Sequence, residues 1–390
     1  MTDVAERLHA LRGSGLHRRL RLIEGPQGPR VTLDGRPVLL LCSNNYLGLA
    51  DDQRVGEAAA EAALRWGAGT GSSRLISGSM EVHRGLEAGL AEFAGYEAAL
   101  LFGSGFLTNT GTIAALAGAG EVVFSDELNH ASIVDGCRLA RAETFVYRHA
   151  DLEHLEWGLR EAGGRGSLIV SDGVFSMDGD VAPLPGLLEL ARRHGARLMI
   201  DDAHALGALG PGGRGSVAAA GLSGEVDVVV GTLGKALGSY GAFACASAET
   251  IDFLVNSARP FIFSTAPPPP AIGAAAKALE LLLAEPELVE RLQANAATLR
   301  AALAAEGLES DSTTQIVPVE VGEAEPTMKL CELALESGVF AQGIRPPTVP
   351  AGSSRLRLTV MASHDAAELT AAAEAIGAAA RSIGLAPVAA

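Results

Sequence analysis

From about residue 98 the chain alternates short apolar runs with helix-length amphipathic stretches. The runs are Ala98–Phe102, Glu121–Ser125, Glu143–Tyr147, Ser167–Ser171, Arg197–Asp201 and Asp227–Gly231. Helical patterns such as Ile133–Arg141 and Leu187–His194 fill most of the gaps. This rhythm predicts βαβ units and a mostly parallel sheet with helices on both faces. A seventh run, Gly241–Ala246, follows Gly231 after only nine residues. A parallel crossover needs about a dozen or more, so this strand is expected to run antiparallel. The predicted sheet therefore has seven strands, one of them reversed.

The two ends of the chain read differently. Residues 3–20 have the pattern of an amphipathic helix and lead into a basic patch, His17-Arg18-Arg19-Leu20-Arg21. A hairpin is expected next, with Asp34-Gly35 as its turn between Arg30–Leu33 and Pro37–Leu41. Ala266-Pro267-Pro268-Pro269-Pro270 punctuates the chain, and a helical stretch runs from about Ile272 to Ala305. The tail predicts a strand (Gln315–Val321), a helix (Thr327–Ser337), strands around Ile344 and at Leu356–Val360, and a last helix from Asp365. The expected division is an N-terminal segment over 1–43, a large α/β domain over 44–270 and a small α+β domain over 271–390. A chain of 390 residues is long enough for this.

Composition narrows the function. The net charge of −16 argues against nucleic acid, because a phosphate backbone needs a basic footprint. No apolar run reaches membrane-spanning length, and Met1–Gly13 lacks the apolar core of a signal peptide. Cys42, Cys137, Cys245 and Cys331 are far apart and form no CxxC pair, so no metal site is assigned and reduced thiols in the cytoplasm are expected. Lysine occurs only as Lys235, Lys277 and Lys329, every other strong base being arginine. A lysine kept inside an apolar, glycine-rich stretch invites a chemical explanation.

In open α/β sheets ligands bind at the carboxyl ends of the strands. Three polar groups fall there: Asp201-Asp202-Ala203-His204, Thr232-Leu233-Gly234-Lys235 and Gly103-Ser104-Gly105-Phe106. Taken singly, Asp201 also fits a helix N-cap, His204 or His130 a structural histidine, Gly103–Phe106 a plain turn, and Lys235 a solvated loop residue. Together they match what pyridoxal 5'-phosphate requires. Asp201 can keep a pyridine nitrogen protonated, and a desolvated Lys235 can form the Schiff base and act as a base. Backbone N–H groups at the start of a helix, from Ser104 to Phe106, can take the phosphate, with the Thr232 hydroxyl as a further donor.

These positions also carry a resemblance. Asn44-Asn45-Tyr46-Leu47-Gly48-Leu49, Gly67-Ala68-Gly69-Thr70-Gly71, Ser73–Gly78 with His83, Asn129-His130-Ala131-Ser132, Val174–Asp180, Asp201–His204 and Thr232–Lys235 are similar, in order, to the α-oxoamine synthases. The match runs from about Gly15 to His364. It implies the aspartate aminotransferase-like fold of type I, a homodimer with shared active sites, and condensation of an amino acid with an acyl thioester with loss of CO2. The tail Ile344–Gly352 followed by Arg355-Leu356-Arg357-Leu358 is most similar to the biotin-pathway branch, which implies L-alanine and a pimeloyl thioester of CoA or acyl carrier protein as substrates.

Carried over, the resemblance implies that Lys235 holds the cofactor and takes the α-proton and that Asp201 pairs with the pyridinium. His204 and Ser176 lie on the phenolic oxygen side, and His130 stacks on the ring. Gly105, Phe106 and Thr232 hold the phosphate, with Ser264 and Thr265 reaching it from a second subunit. Arg357 clamps the amino acid carboxylate, Arg18 and Thr348 lie near the acyl substrate, and Asn44 is a polar contact. Family members often have glutamate where this chain has Asp172, and a water is expected to make up the lost methylene. Two alternatives stand beside this reading. One is a sibling synthase using glycine and another acyl-CoA. The other is a silent partner subunit, which would have no use for Lys235, Asp201 and His204 together.

Overall fold

A computed structural model describes residues 3–14, 16–18 and 20–385. Met1, Gly15 and Arg19, each part of a motif or segment read above, lie outside the described residues. The N-terminal helix is Val4–Gly13, shorter than the pattern predicted, and none of its residues is buried. Among the described residues its apolar positions belong to no core cluster.

The strands in chain order are β1 (Ile23–Glu24), β2 (Arg30–Leu33), β3 (Arg36–Leu40), β4 (Ala98–Phe102), β5 (Val122–Asp126), β6 (Glu143–Tyr147) and β7 (Ser167–Asp172). They continue with β8 (Arg197–Asp201), β9 (Val228–Thr232), β10 (Ala242–Ala246), β11 (Ile316–Gly322), β12 (Val339–Phe340), β13 (Gln342–Ile344) and β14 (Ser354–Thr359). β2 and β3 form the expected hairpin. Asp34 and Gly35 both have positive φ, +49° and +79°, as a two-residue turn of the tighter kind requires. The hairpin belongs to a four-stranded sheet, β1-β2-β3-β12, in which β12 returns from the tail and pairs parallel to β3. Two residues are too short a strand for any periodic signal, so this closure was not legible in the sequence.

The large sheet has the order β4-β10-β9-β8-β7-β5-β6. β10 is antiparallel to both of its neighbours and the other pairs are parallel, as predicted from the short β9–β10 connection. Alternate residues serve opposite faces. Leu168 and Val170 of β7 pack with Met199, Val228 and Val230 on one side, while Ile169, Leu198, Ile200 and Val229 pack on the other. Helices cover both faces, which is why these strands read as continuous apolar runs. Each fully buried Val, Leu or Ile contributes about 1.5–3 kcal/mol. Gly231 faces Phe243 across β9 and β10, and a Cβ there would lie 2.4 Å from the ring, so the aromatic fills the space a side chain would need.

The predicted stretch Ile272–Ala305 is two helices, Pro269–Ala284 and Glu287–Ala305, separated at Glu285-Pro286. Proline removes a donor and restricts the residue before it, which ends the first helix. Both helices belong to one continuous core that also holds Leu101 and Phe243 of the large sheet and Leu356 and Leu358 of the tail. The tail sheet is β11-β14-β13, antiparallel throughout, followed by the helix Ala366–Ser382 with Asp365 as its N-cap. Among the described residues no helix is long and apolar enough to cross a membrane.

Candidate active site

The carboxyl ends of β4, β5, β7, β8 and β9 open on one edge of the large sheet, and each delivers a polar group there. β4 ends in Phe102 and leads to the helix Gly105–Leu116, capped by Ser104, whose Oγ accepts the Leu107 N–H at 3.3 Å. Gly105 and Phe106 occupy its first turn, where N–H groups have no intrahelical acceptor. A Cβ on Gly105 would meet nothing within 4 Å, so the approach to these donors is open.

Asp201 ends β8 and is buried. Its Oδ1 accepts the Ala203 N–H at 2.9 Å, so it does cap the following turn, and its Oδ2 accepts from Asn109 Nδ2 at 2.6 Å. A carboxylate held at both oxygens has one orientation, and a single acid here serves both the turn and the site. Beside it in register stands Asp172, the last residue of β7. Its Oδ2 accepts the His130 N–H directly at 2.8 Å, so the shorter acid reaches this partner. Burial first, and then the charge of Asp201, push the Asp172 carboxyl well above the ordinary range.

Lys235 follows β9 in a turn closed by Gly238 N–H to Lys235 O at 2.9 Å and Gly234 N–H to Thr232 Oγ1 at 3.2 Å. The Thr232 hydroxyl is donated to Gly241 O at 3.2 Å. Among the described residues the Lys235 amine has no carboxylate within ion-pair distance. Burial lowers its pKa to about 8, with Arg357 pushing the same way and Asp201 and Asp172 opposing. At neutral pH a usable fraction of this amine is unprotonated, which is what a nucleophile and base needs.

His204 is buried and its Nδ1 lies 2.6 Å from the Tyr46 hydroxyl. Burial, helped by Lys235 and Arg357, holds its pKa well below the usual histidine value. Tyr46 Oη also lies 3.1 Å from Asn44 Oδ1, which accepts from Arg357 Nη2 at 3.3 Å. Arg357 on β14 donates through Nε to the Ser176 carbonyl, while Arg355, two residues earlier, is paired with Asp178. Arg357 has no carboxylate partner among the described residues. Of two neighbouring arginines on one strand, one is spent on structure and the other is available to an acid.

The loop bearing Ser176 is tied at a second point. His149 bridges Asp126, at 3.0 Å from Nδ1, and Asp180, at 2.9 Å from Nε2, and these hydrogen bonds raise its pKa to about 10. Ser264 and Thr265 lie on a strap bridged to Ser73. Arg18 and Thr348 are elsewhere, in the wall of a cavity of about 740 Å³ at the edge of the tail sheet, together with Arg21, Arg345, Met328 and Phe340. The structure thus brings Lys235, Asp201, His130, His204, Asn44, Ser176 and Arg357 together and sets Arg18 and Thr348 in the wall of a separate cavity. Sequence reading passed over Asn109 and gave Ser132, quoted within the motif Asn129–Ser132, no role of its own. A buried asparagine inside an apolar helix was the available signal.

The donor set fits pyridoxal phosphate: a lysine amine of depressed pKa, a fixed carboxylate, and free helix N–H groups beside a hydroxyl. Comparison with known proteins agrees. The family model described as aminotransferase class I and II matches residues 36–376, and the chain belongs to that family. It is 54% identical to the 8-amino-7-oxononanoate synthase of Citrifermentans bemidjiense, over 96% of this chain and 97% of that protein. The 8-amino-7-oxononanoate synthase of Geobacter sulfurreducens is also 54% identical, over 98% of this chain and 99% of its own. A solved structure of SPT with a PLP internal aldimine superposes with a TM-score of 0.93 at 34% identity, covering 98% of both chains. Within the family the chain therefore groups with the 8-amino-7-oxononanoate synthases.

Proposed function

We propose that the chain condenses L-alanine with a pimeloyl thioester, of CoA or of acyl carrier protein, to give 8-amino-7-oxononanoate, CO2 and free thiol in biotin biosynthesis. The observation that carries the reading is a pair of neighbouring cations without a carboxylate partner among the described residues. Lys235 titrates near 8, and Arg357, which helps to depress it, has no acid of its own. Similarity to two 8-amino-7-oxononanoate synthases along nearly the whole chain supports the choice of substrates.

Lys235, Asp201, Gly105, Phe106 and Thr232 would hold pyridoxal 5'-phosphate, with His204 and Ser176 on its phenolic side, His130 on its ring face, and Ser264 and Thr265 reaching from a second subunit of a homodimer. When bound, the cofactor supplies an electron sink that lets the alanine Cα carry negative charge. Arg357 binds the alanine carboxylate by charge-assisted hydrogen bonds, steadied by Asn44. Lys235 Nζ takes the Cα proton, which its lowered pKa permits near neutrality. Arg18 and Thr348 orient the acyl chain from the cavity beside the tail sheet. The N-terminal segment 1–43 and the small domain 271–390 then close the large domain 44–270 against water, in a cytoplasmic enzyme.

Thiol release from pimeloyl-CoA, measured with L-alanine or with glycine, tests this on the cofactor-loaded protein. Acetyl-CoA and succinyl-CoA run in parallel. Release that requires both L-alanine and pimeloyl-CoA is expected. The 34% identity to SPT favours a sibling synthase as the second reading, and release with another amino acid and a different acyl-CoA would replace the first reading with it.

A further inference from the structure

We propose that Asn109 and Ser132 are positioning residues that lock His130 as a neutral hydrogen-bond donor, with its proton on Nε2, and tie its orientation to that of Asp201. The assignment follows from which atoms can donate. Asn109 is buried in the helix Gly105–Leu116, and one nitrogen, Nδ2, makes two contacts: 2.6 Å to Asp201 Oδ2 and 2.9 Å to Ser132 Oγ. Its Oδ1 is buried without a hydrogen-bond partner among the described residues. Turning the amide over would set that oxygen against a carboxylate oxygen, so charge fixes the amide with its NH2 toward Asp201.

The second amide hydrogen then occupies a lone pair of Ser132 Oγ. The hydroxyl hydrogen of Ser132 is left to point at His130 Nδ1, 2.7 Å away. Independently, the backbone N–H of Ser132 reaches the same Nδ1 at 3.2 Å, because His130 is the N-cap of the helix Ala131–Ala140. A backbone N–H can only donate. Nδ1 must therefore present a lone pair, and in the neutral ring the proton resides on Nε2. Protonating Nδ1 would set it against two donors at once.

The backbone of the same residue is held by Asp172, so side chain and main chain of His130 are tied to the two acids that end β7 and β8. Nε2 has no partner among the described residues and His130 is exposed, so a ligand reaching Nε2 meets a donor. His130 then serves oxygen atoms of the bound substrate and is no base, which leaves proton abstraction to Lys235. That last consequence rests on the function proposed above. The tautomer does not, since it follows from the protein alone.

The test uses protein labelled with 15N in histidine, as apoprotein and loaded with pyridoxal phosphate, at pH 7. Two-bond proton–nitrogen spectra, with His130 assigned by its loss in His130→Gln, should give a pyridine-like Nδ1 and a pyrrole-like Nε2. Ser132→Ala removes the 2.7 Å hydroxyl contact and leaves only the longer 3.2 Å backbone N–H on Nδ1. It should therefore weaken the preference, populate some of the other tautomer and lower kcat roughly tenfold, the effect of losing one neutral hydrogen bond, while Ser132→Thr should restore both. Asn109→Leu should do the same, and Ser132→Ala keeps the test alive if that buried variant fails to fold. A proton on Nδ1 in the wild-type protein, or Ser132→Ala with unchanged spectrum and kcat, would overturn the proposal. Absent thiol release alongside the expected spectrum would count against the substrate reading alone.

Discussion

Two spaces in this molecule handle polar groups in opposite ways. At the carboxyl edge of the large sheet, Asp201, Asn109, Ser132 and His130 form an unbroken hydrogen-bonded run, and the one buried atom of these side chains without a partner among the described residues is Asn109 Oδ1. In the cavity beside β13, Arg345 contacts Met328 Sδ at 3.0 Å and its Nε is buried without a partner among the described residues. Arg18 in the same wall is exposed. The first space is built on strand ends buried between helix layers, where an unmatched polar group costs about 1–3 kcal/mol. The second has walls from an exposed N-terminal segment and a sheet edge, where Arg18 faces solvent. On the function proposed above, groups that would do chemistry are preorganised by the sheet, and groups that would meet the acyl chain are left open for it to fill.

The largest effect belongs to the first space. Lys235→Ala should lower thiol release by at least about 10⁴-fold and remove the visible absorbance of lysine-bound cofactor; retained activity would refute its role. Asp201→Ala should retain some cofactor but slow turnover by roughly 10²–10⁴-fold, and a variant near wild-type rate would refute its electronic role. A contrast of KM values sharpens the comparison. Arg357→Gln should raise KM for L-alanine by roughly 10–150-fold, the equivalent of about 1.5–3 kcal/mol for a charged hydrogen bond. Arg345→Gln should raise KM for the pimeloyl thioester by about tenfold or less, with KM for alanine unchanged. If the two variants shifted the same substrate, the division between the spaces would fall.

The pH dependence follows from Lys235. Its folded pKa, about 8, lies below the ordinary 10.5, so the reactive free amine is depleted as pH falls through 8 and nearly complete well above it. The rate at which apoprotein captures pyridoxal phosphate, followed by absorbance, should rise with pH and level off above about 8–9. A flat profile from pH 6 to 9 would contradict the assigned amine. The smallest effect is expected at the N-terminal helix, where Leu8 is exposed and nothing is buried. Leu8→Ala should change stability by less than about 0.5 kcal/mol in denaturant unfolding, and a larger loss would mean that the helix packs against something.

The strands of the large sheet were legible to within a residue or so because all but the edge strand β6 are buried on both faces and bounded by turn residues. The reversal of β10 was legible from nine connecting residues alone. Lys235 and Asp201 stood out because strand ends are where a doubly wound sheet exposes polar groups. The N-terminal helix was over-read, since it spans only Val4–Gly13 and none of its residues is buried. Asn109 was missed because a polar residue in one helix gains meaning only from the carboxylate 92 positions away that it meets.

What the sequence alone determined is the rhythm of strand and helix, the single reversed strand, and the chemical types at the strand ends, all of which follow from local periodicity and spacing. Tertiary structure decided what no spacing encodes: which of Arg355 and Arg357 keeps its charge free, which nitrogen of His130 carries the proton, and that Arg18 and Thr348 face a different space from Lys235. Those outcomes depend on hydrogen bonds between residues distant in the chain, and the direction of a hydrogen bond is set only when both partners are in place.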